Sequence, residues 1–113
     1  MEVAGRIKSI NTVGKVSASQ NISGTVDIDL STAAHFRRVL TGNTTINFIN
    51  IPTETDTIVF TMTVTGNYTL AFPAWLTLDS SSSTYDGLTT NEIVILIKNG
   101  GSSPTGRMAI TNN

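Results

Sequence analysis

The sequence predicts an all-β fold: a single antiparallel β-sandwich of about seven to nine strands with an N-terminal arm. Three observations predict it, namely an internal repeat, apolar residues that alternate with period two, and turn-forming residues at short spacing. At 113 residues the chain has the size of one domain. A domain of this size buries roughly two thirds of its unfolded surface, so we expect a core that needs no disulfide or metal.

The internal repeat is the strongest local signal. The segment from Thr41 to Phe48 recurs from Thr65 to Phe72, and both copies begin Thr-Gly-Asn. Each copy stands between an apolar or threonine-rich run and a second alternating run. This arrangement is typical of two antiparallel strands joined by a short turn, so the repeat predicts two successive β-hairpins.

The parity of the apolar residues predicts how these hairpins close. In the second one, the residues that form one apolar face all lie at even positions: Ile58, Phe60, Met62, Val64, Tyr68, Leu70 and Phe72. A two-residue loop would turn the two strands' apolar sets to opposite faces, because a shift of one residue flips every side chain. A three-residue loop keeps one apolar face and places Asn67 in the left-handed region. The first hairpin follows the same rule, but it carries Arg38 on that face, so we expect shallower burial there.

The chain divides into residues 1–24, interpreted as an N-terminal arm or peripheral strand, and residues 25–113, interpreted as the sandwich domain. The second part begins with Val26, Ile28 and Leu30, which alternate with threonine and aspartate. This pattern predicts a half-buried strand with a wetted outer face, followed by a turn.

The remaining strands are separated by polar loops, expected at 52–56, 79–84 and 99–104. Residues 92–98 form the most apolar run and are predicted to be a central strand. They are expected to pair with residues 107–111 in one more hairpin.

Composition narrows the classes of function. The net charge is −1 and only 13% of the residues are charged, whereas nucleic-acid binding requires a basic surface, so no nucleic-acid partner is expected. No apolar run approaches the roughly 20 residues that span a membrane. The N-terminus lacks the apolar region of a signal peptide, so we expect synthesis in the cytoplasm. The absence of cysteine leaves the redox compartment open.

The chain has few residues of the types that act in catalysis or bind metals. His35 is the only histidine, so any histidine-based catalytic or metal set depends on it, and we expect it in a turn. Asp27 and Asp29 share a strand face and have the chemistry of a calcium site or an acid/base pair, but no third carboxylate lies nearby, which favours a solvated face. Gly100-Gly101 lacks the lysine of a phosphate loop. We therefore predict no catalytic residue, no cofactor and no metal, and expect a protein that is not an enzyme.

Two aromatic residues have two interpretations. Trp75 and Tyr85 could form an exposed platform on which a sugar ring stacks, as amphipathic aromatics do at binding surfaces. Alternatively, Trp75 caps one end of the core and Tyr85 packs under the serine-rich loop. Both interpretations remain open from the sequence.

The polar residues predict a surface that other proteins cover. Threonine, serine and asparagine make up roughly a third of the chain, and the threonines fall mainly on the non-core positions of strands. Well-solvated monomers carry about a quarter to a third charged residues on their surface. A face rich in hydroxyls and poor in charge favours burial against another subunit, which would also cover exposed strand edges.

Three segments resemble a β-sandwich module of tailed-bacteriophage virion proteins of the tail-fibre, appendage and head-decoration or head-fibre type. They are Leu40 to Pro52, Phe60 to Thr65, and Leu70 to Pro73, and the resemblance extends over residues 25–111. The chain departs from the usual pattern after Pro52, where it has Thr-Glu-Thr-Asp instead of a Gly-Gly turn.

The resemblance implies a non-enzymatic virion structural protein: a head-decoration, head-fibre or tail-associated component that assembles through its N-terminal arm and sheet edges. The implied partners are other virion proteins and copies of itself, with a host surface glycan as a further contact, and the implied location is the virion. The alternative is a carbohydrate- or receptor-binding β-sandwich module that uses Trp75 and Tyr85. A small hydrolase is disfavoured because the chain lacks a catalytic set.

Overall fold

The protein is all-β. The computed structural model describes residues 15–52, 57–98 and 103–113, and within these ranges it has seven strands and no helix. The strands are β1 (Val16–Asp29), β2 (His35–Ile49), β3 (Thr57–Thr65), β4 (Leu70–Ala71), β5 (Leu76–Leu78), β6 (Asn91–Lys98) and β7 (Thr105–Asn112). The predicted all-β class and the lower predicted strand number are confirmed for the described residues.

The predicted arm is described only in part. Residues 1–14 lie outside the described residues, as do 53–56 and 99–102 in two of the predicted loops. The rest of the predicted arm belongs to β1, which crosses the boundary expected at residue 24.

The strands form one hydrogen-bonded sheet in the order β1-β2-β3-β6-β7-β5, with β4 beside β2. Pairing is parallel for β1–β2, β2–β3, β2–β4 and β5–β7, and antiparallel for β3–β6 and β6–β7. The sheet is therefore mixed, and the prediction of an antiparallel sheet is wrong for four of the six strand pairings described. The hairpin formed by the last two long strands and the interior position of β6 are confirmed.

The parallel pairing of β1 with β2 requires both strands to bend. Val16 pairs with His35 and Asp29 with Ile49. The chain therefore returns from Asp29 to the neighbour of Val16 in six residues, which reach at most about 22 Å. A straight β1 would be about 43 Å long. The chain accordingly coils, and each long strand has a first limb and a second limb separated by a corner.

The corner is visible in the register. Ile22 pairs with Leu40, but Gly24 pairs with Thr44, so β2 has extra residues at this point. Gly24 has φ +73°, a conformation that glycine adopts without steric cost. At the same level, a Cβ on Gly42 would lie 3.2 Å from the Ser23 Cβ. We call 16–22 of β1 and 35–40 of β2 the first limbs, and 24–29 and 44–49 the second limbs.

The internal repeat is a pair of stacked coils, not a pair of hairpins. Thr44 pairs in parallel with Leu70 and Thr45 with Ala71, so the two copies lie side by side. The predicted loop at 41–43 is a corner within the continuous strand β2. The hairpin prediction is wrong because a strand followed by a corner and a second strand has the same local sequence pattern whether the chain reverses or coils.

The predicted apolar face is present although the strands pair differently. The even residues Phe36, Leu40, Phe60, Met62 and Val64 are all buried, as the prediction of one apolar face requires. The even residues of the second repeat's last run, Leu70 and Phe72, are partly buried and pack against the core, whereas Tyr68 is exposed.

Gly66, not Asn67, adopts the conformation with positive φ, at +122°. A Cβ at this position would lie 2.5 Å from the Leu40 carbonyl oxygen and 2.8 Å from the Leu40 Cβ. Glycine is needed here because the corner of the third coil passes directly against the backbone of the second. The prediction for Asn67 is wrong because it assumed a hairpin turn.

Arg38 is buried, with 7% of its surface exposed, so the expected shallow burial around it is also wrong. Its Nη1 donates to the carbonyl oxygens of Ala18 (3.2 Å) and Arg37 (2.7 Å), and its guanidinium lies 5.4 Å from the Phe36 ring centroid. Burial lowers the pKa of Arg38. The arginine is accommodated because backbone carbonyls and an aromatic face surround its donors.

A single apolar cluster joins the limbs. Phe48, on a second limb, packs edge-to-face against Phe60 of β3, with 5.2 Å between the ring centroids. Phe60 packs in the same way against Phe36 of a first limb, with 6.1 Å between the centroids. Such pairs add to the burial energy of the rings. In the described ranges, no helix is long and apolar enough to cross a membrane.

Candidate functional site

His35 lies at the start of β2, beside β3, and is held by hydroxyl groups. Its Nδ1 contacts the Thr61 hydroxyl and its Nε2 contacts the Thr63 hydroxyl at 3.1 Å. The Thr63 hydroxyl donates to Glu92 Oε1 at 3.1 Å, so it accepts from the Nε2–H of the ring. The backbone N–H of Thr61, which lies beside His35, donates to the Ala34 carbonyl oxygen. It is therefore not free to bind an oxyanion, as a donor beside a catalytic histidine would be. This chain of hydrogen bonds ties three strands together across one face.

The two aspartates of β1 do not form a shared site. Asp27 Oδ1 accepts a hydrogen bond from Asn47 Nδ2 at 3.2 Å. Asp29 Oδ1 accepts from the Ser31 amide at 2.9 Å and from its hydroxyl at 2.6 Å, closing the turn after β1. The Ser31 hydroxyl, followed by its amide, lowers the pKa of Asp29. Among the described residues, no group of three or more histidine, cysteine, aspartate or glutamate residues is placed to hold a metal.

Trp75 is half-buried and packs against the core. Its ring centroid lies 6.4 Å from that of Phe48, and its carbonyl accepts a hydrogen bond from the Gly106 amide at 3.2 Å. It immediately precedes β5, which pairs with the first half of β7.

Tyr85 is half-buried at the other end of the sheet. Its hydroxyl donates to the Gly66 carbonyl, just past the carboxyl end of β3, at 2.8 Å. Burial, with a smaller contribution from Asp86, raises its pKa. The β3–β6–β7 ladder between Tyr85 and Trp75 is about 25 Å long, so the structure does not bring the two rings together in one platform.

The described surface does contain an apolar patch, on the outer side of β3, β6 and β7. Val59 is 59% exposed and Val94 is 49% exposed. Val59 pairs with Leu96, and Val94 lies between Thr61 and Ala109. We call these five residues the outer patch.

Charged groups lie at both ends of the outer patch. Arg107 is the cross-strand partner of Leu96, and Lys98 follows on β6. At the other end, Thr63 lies between Arg37 and Glu92. An apolar centre with a polar rim is the usual anatomy of a protein–protein interface.

The outer patch was missed from the sequence, although a signal for it exists. Residues 93–97 are apolar at both parities, and such a run fits a strand buried on both faces or one whose outer face awaits a partner. Only the odd positions of this run are fully buried. The sequence pattern predicts the interior position of β6 in the sheet, but it does not show what covers the second face of this strand.

A second group that sequence reasoning missed is fully buried Asn91. Its Nδ2 donates to the carbonyls of Asp86 (2.8 Å), Thr89 (3.2 Å) and Val64 (3.2 Å). Its Oδ1 accepts from the Asp86 amide at 2.9 Å and from Asn112 Nδ2 at 2.7 Å. These hydrogen bonds tie the turn before β6 to β3 and β7, so the role of Asn91 is structural.

Comparison of the chain with protein-family models, with curated proteins and with solved structures finds no match.

Proposed function

We propose that this protein is a non-enzymatic structural component of a tailed-bacteriophage virion, as a head-decoration, head-fibre or tail-associated protein. It assembles with copies of itself and with other virion proteins through the outer patch and its strand edges. The observation that carries the assembly role is the outer patch, where Val59 and Val94 are about half exposed on one face of the sheet.

The energetics favour covering this patch. Full burial of a valine side chain stabilises by about 1.5–3 kcal/mol. The hydroxyls of neighbouring Thr61 and Thr63 already have hydrogen-bond partners within the chain, so covering them leaves no donor unpaired. The charged groups near the patch lie at its two ends and not at its centre. A sheet face of this kind gains free energy when another protein surface packs on it.

The proposed architecture for this role is a two-layered sandwich whose layers are the first and second limbs of the coils. The contact between Phe48 and Phe60 supports it, because Phe48 lies on the second limb of β2 whereas Phe60 lies on β3, which pairs with the first limb of β2. The N-terminal arm remains part of the proposal, with β1 as the described part that it leads into.

The virion assignment is supported by the sequence pattern alone, in the segments 40–52, 60–65 and 70–73. Mass spectrometry of purified particles from a phage that carries this gene tests the assignment directly. We expect the protein in stoichiometric amounts, with neighbouring genes that encode head or tail proteins. Its absence from intact particles would refute the virion role.

The assembly role is tested on the full chain by light scattering after size exclusion, over a wide concentration range. We expect oligomers that are weakened at least tenfold by Val59→Glu combined with Val94→Glu, because two charges would be buried at the contact. Leu88→Glu is the matched control, since Leu88 is 80% exposed but lies outside the patch. A monomer at every concentration, or equal effects of both changes, would contradict assembly through this face.

The alternative of a carbohydrate- or receptor-binding module has weaker support. It would rest on Trp75 or Tyr85 singly, and both rings pack against the core. A glycan array with Trp75→Ala as the control tests it.

A further inference from the structure

The outer patch continues across β2 to β1 along one row of the sheet. Val94 lies beside Thr61, and the partner of Thr61 on its other side is His35. His35 in turn pairs with Val16, which is 56% exposed. The row ends at Ala109 on β7, so it crosses five strands and is about 19 Å wide. His35 is therefore a titratable group inside a row whose other members are valine, threonine and alanine.

In its neutral form the imidazole of His35 has a partner for each ring nitrogen. The Thr63 hydroxyl accepts from Nε2–H and donates to Glu92 Oε1. Nδ1 is then the acceptor of the neutral ring, so the Thr61 hydroxyl donates to it. Another protein surface can cover this arrangement without leaving a ring nitrogen or either hydroxyl unpaired.

Protonation of His35 makes two changes that oppose such a cover. Both nitrogens of an imidazolium are donors, so the Thr61 hydroxyl becomes an acceptor and must turn its own proton away from the ring. Under a partner, that proton has no water to bind. The ring also acquires a charge, which water can hydrate in the free protein but which would be buried at the contact.

The charged groups around His35 keep their charges over the range in which histidine titrates. Arg37 lies two residues along the same face of β2, and Glu92 is linked to the ring through one hydroxyl. β3 carries no charged residue. Beside β2 on the other side, Lys15 directly precedes β1, whose two aspartates belong to its second limb. Carboxylates titrate near pH 4 and lysine and arginine above pH 10, so none of these groups changes charge between pH 5.5 and 8.

We propose that protonation of His35 weakens assembly through the outer patch, so that copies of the chain associate above about pH 7 and separate toward about pH 5.5. The inference rests on the proposed assembly function and adds the regulation of the same surface. Association that requires the neutral ring loses affinity as protons bind the free form, because proton binding and association are then coupled with opposite sign.

Sedimentation equilibrium of the full chain at pH 8 and pH 5.5, at equal ionic strength, tests this regulation. We expect self-association to be about tenfold weaker at pH 5.5 or more, because most of an ordinary imidazole is protonated there, and to recover when the pH is raised again. His35→Gln is the matched variant, since its amide can donate to Thr63 and accept from Thr61 but takes no proton in this range. It should associate at pH 5.5 as strongly as at pH 8.

A second variant places a permanent charge at the same position. His35→Lys should associate weakly at both pH values, because its ammonium stays charged throughout. Far-UV circular dichroism at both pH values shows whether each protein keeps its sheet, which separates weaker association from unfolding. His35 is the only histidine and cysteine is absent, so the α-amino group is the other ordinary titrating group in this range, and its contribution is the same in all three proteins.

The outcomes separate this inference from the function on which it rests. Folded oligomers of the native chain that weaken at pH 5.5, while His35→Gln or His35→Lys shows no such change, would support the regulation. Equal affinity of the native chain at both pH values, or the same pH response in the variants, would refute the role of His35 but leave assembly through the outer patch standing. A monomer at every concentration and at both pH values would overturn both.

Discussion

The two halves of the sheet, the coil of β1, β2 and β3 and the ladder of β6 and β7, differ in how their strands are paired. In the coil formed by β1, β2 and β3, each strand pairs in parallel with a strand one full turn of the chain away. In the ladder of β6 and β7, the chain reverses and pairs with itself. Both halves bury alternate residues in the same core. The difference teaches that alternation determines which side chains point inward, whereas strand partners depend on where the chain turns.

The coil depends most strongly on Gly66. Gly66→Ala should lower the free energy of unfolding by about 3–5 kcal/mol, because the added Cβ would meet the Leu40 carbonyl at 2.5 Å and the residue has positive φ. Chemical denaturation measures the change.

Gly24→Ala is the matched control within the same coil. Gly24 also has positive φ, but nothing lies within 4 Å of its built Cβ, so only the backbone cost of about 1 kcal/mol is expected. Equal losses for both variants would mean that close packing of successive coils does not stabilise the fold.

The sequence predicted the inward-facing residues better than the pairing. Parity alone predicts an inward position for Phe60 and Met62, because parity is a property of any extended strand. The partner of β2 was not predictable in this way, since Gly42 fits a hairpin loop and a coil corner equally well. The 90–111 hairpin was predicted correctly because its two strands are direct neighbours along the chain.

For the candidate site as well, the type of residue on a strand face is predictable from the sequence, whereas the neighbours on adjacent strands are not. The threonine-rich faces were recognised from composition, and the structure places Thr61 beside Val94 on the outer patch. The joining of Val59, Leu96 and Ala109 into that patch requires the register of three strands, which no local pattern carries. The separation of Trp75 from Tyr85 likewise depends on the position of β5.

The ladder depends on Asn91 in the way that the coil depends on Gly66. Asn91→Ala should cost about 2–4 kcal/mol, because it leaves the Asp86 amide and the Val64 carbonyl without their partner in a buried site. The control Asn47→Ala removes one exposed hydrogen bond to Asp27 and should cost less than about 0.5 kcal/mol. Thermal or denaturant unfolding distinguishes the two, and a small effect at Asn91 would show that water can replace its network.

The smallest expected effect is on the pKa of an aspartate in each of two turns of the same chemical type, one after β1 and one after β5. Asp29 is followed by Ser31 after β1, and Asp79 by Ser81 after β5, and in both cases the serine amide and hydroxyl donate to the carboxylate. The pKa of each aspartate is lowered. A lowered pKa in the folded state means that the unfolded state binds protons first, so the stability from each turn is present above about pH 4 and lost as pH falls further.

The two turns differ in which group of the serine lowers the pKa of the aspartate most. The Ser31 hydroxyl contributes most to the lowered pKa of Asp29, whereas the Ser81 amide contributes most at Asp79. An alanine substitution removes the hydroxyl and keeps the amide. The lost hydroxyl bond is 2.6 Å long at Asp29 and 2.9 Å long at Asp79, so Ser31→Ala should raise the pKa of Asp29 more than Ser81→Ala raises that of Asp79, as measured by carboxyl NMR titration. The reverse order would mean that the amide holds the turn at β1, and that the coil and the ladder end their strands in the same way.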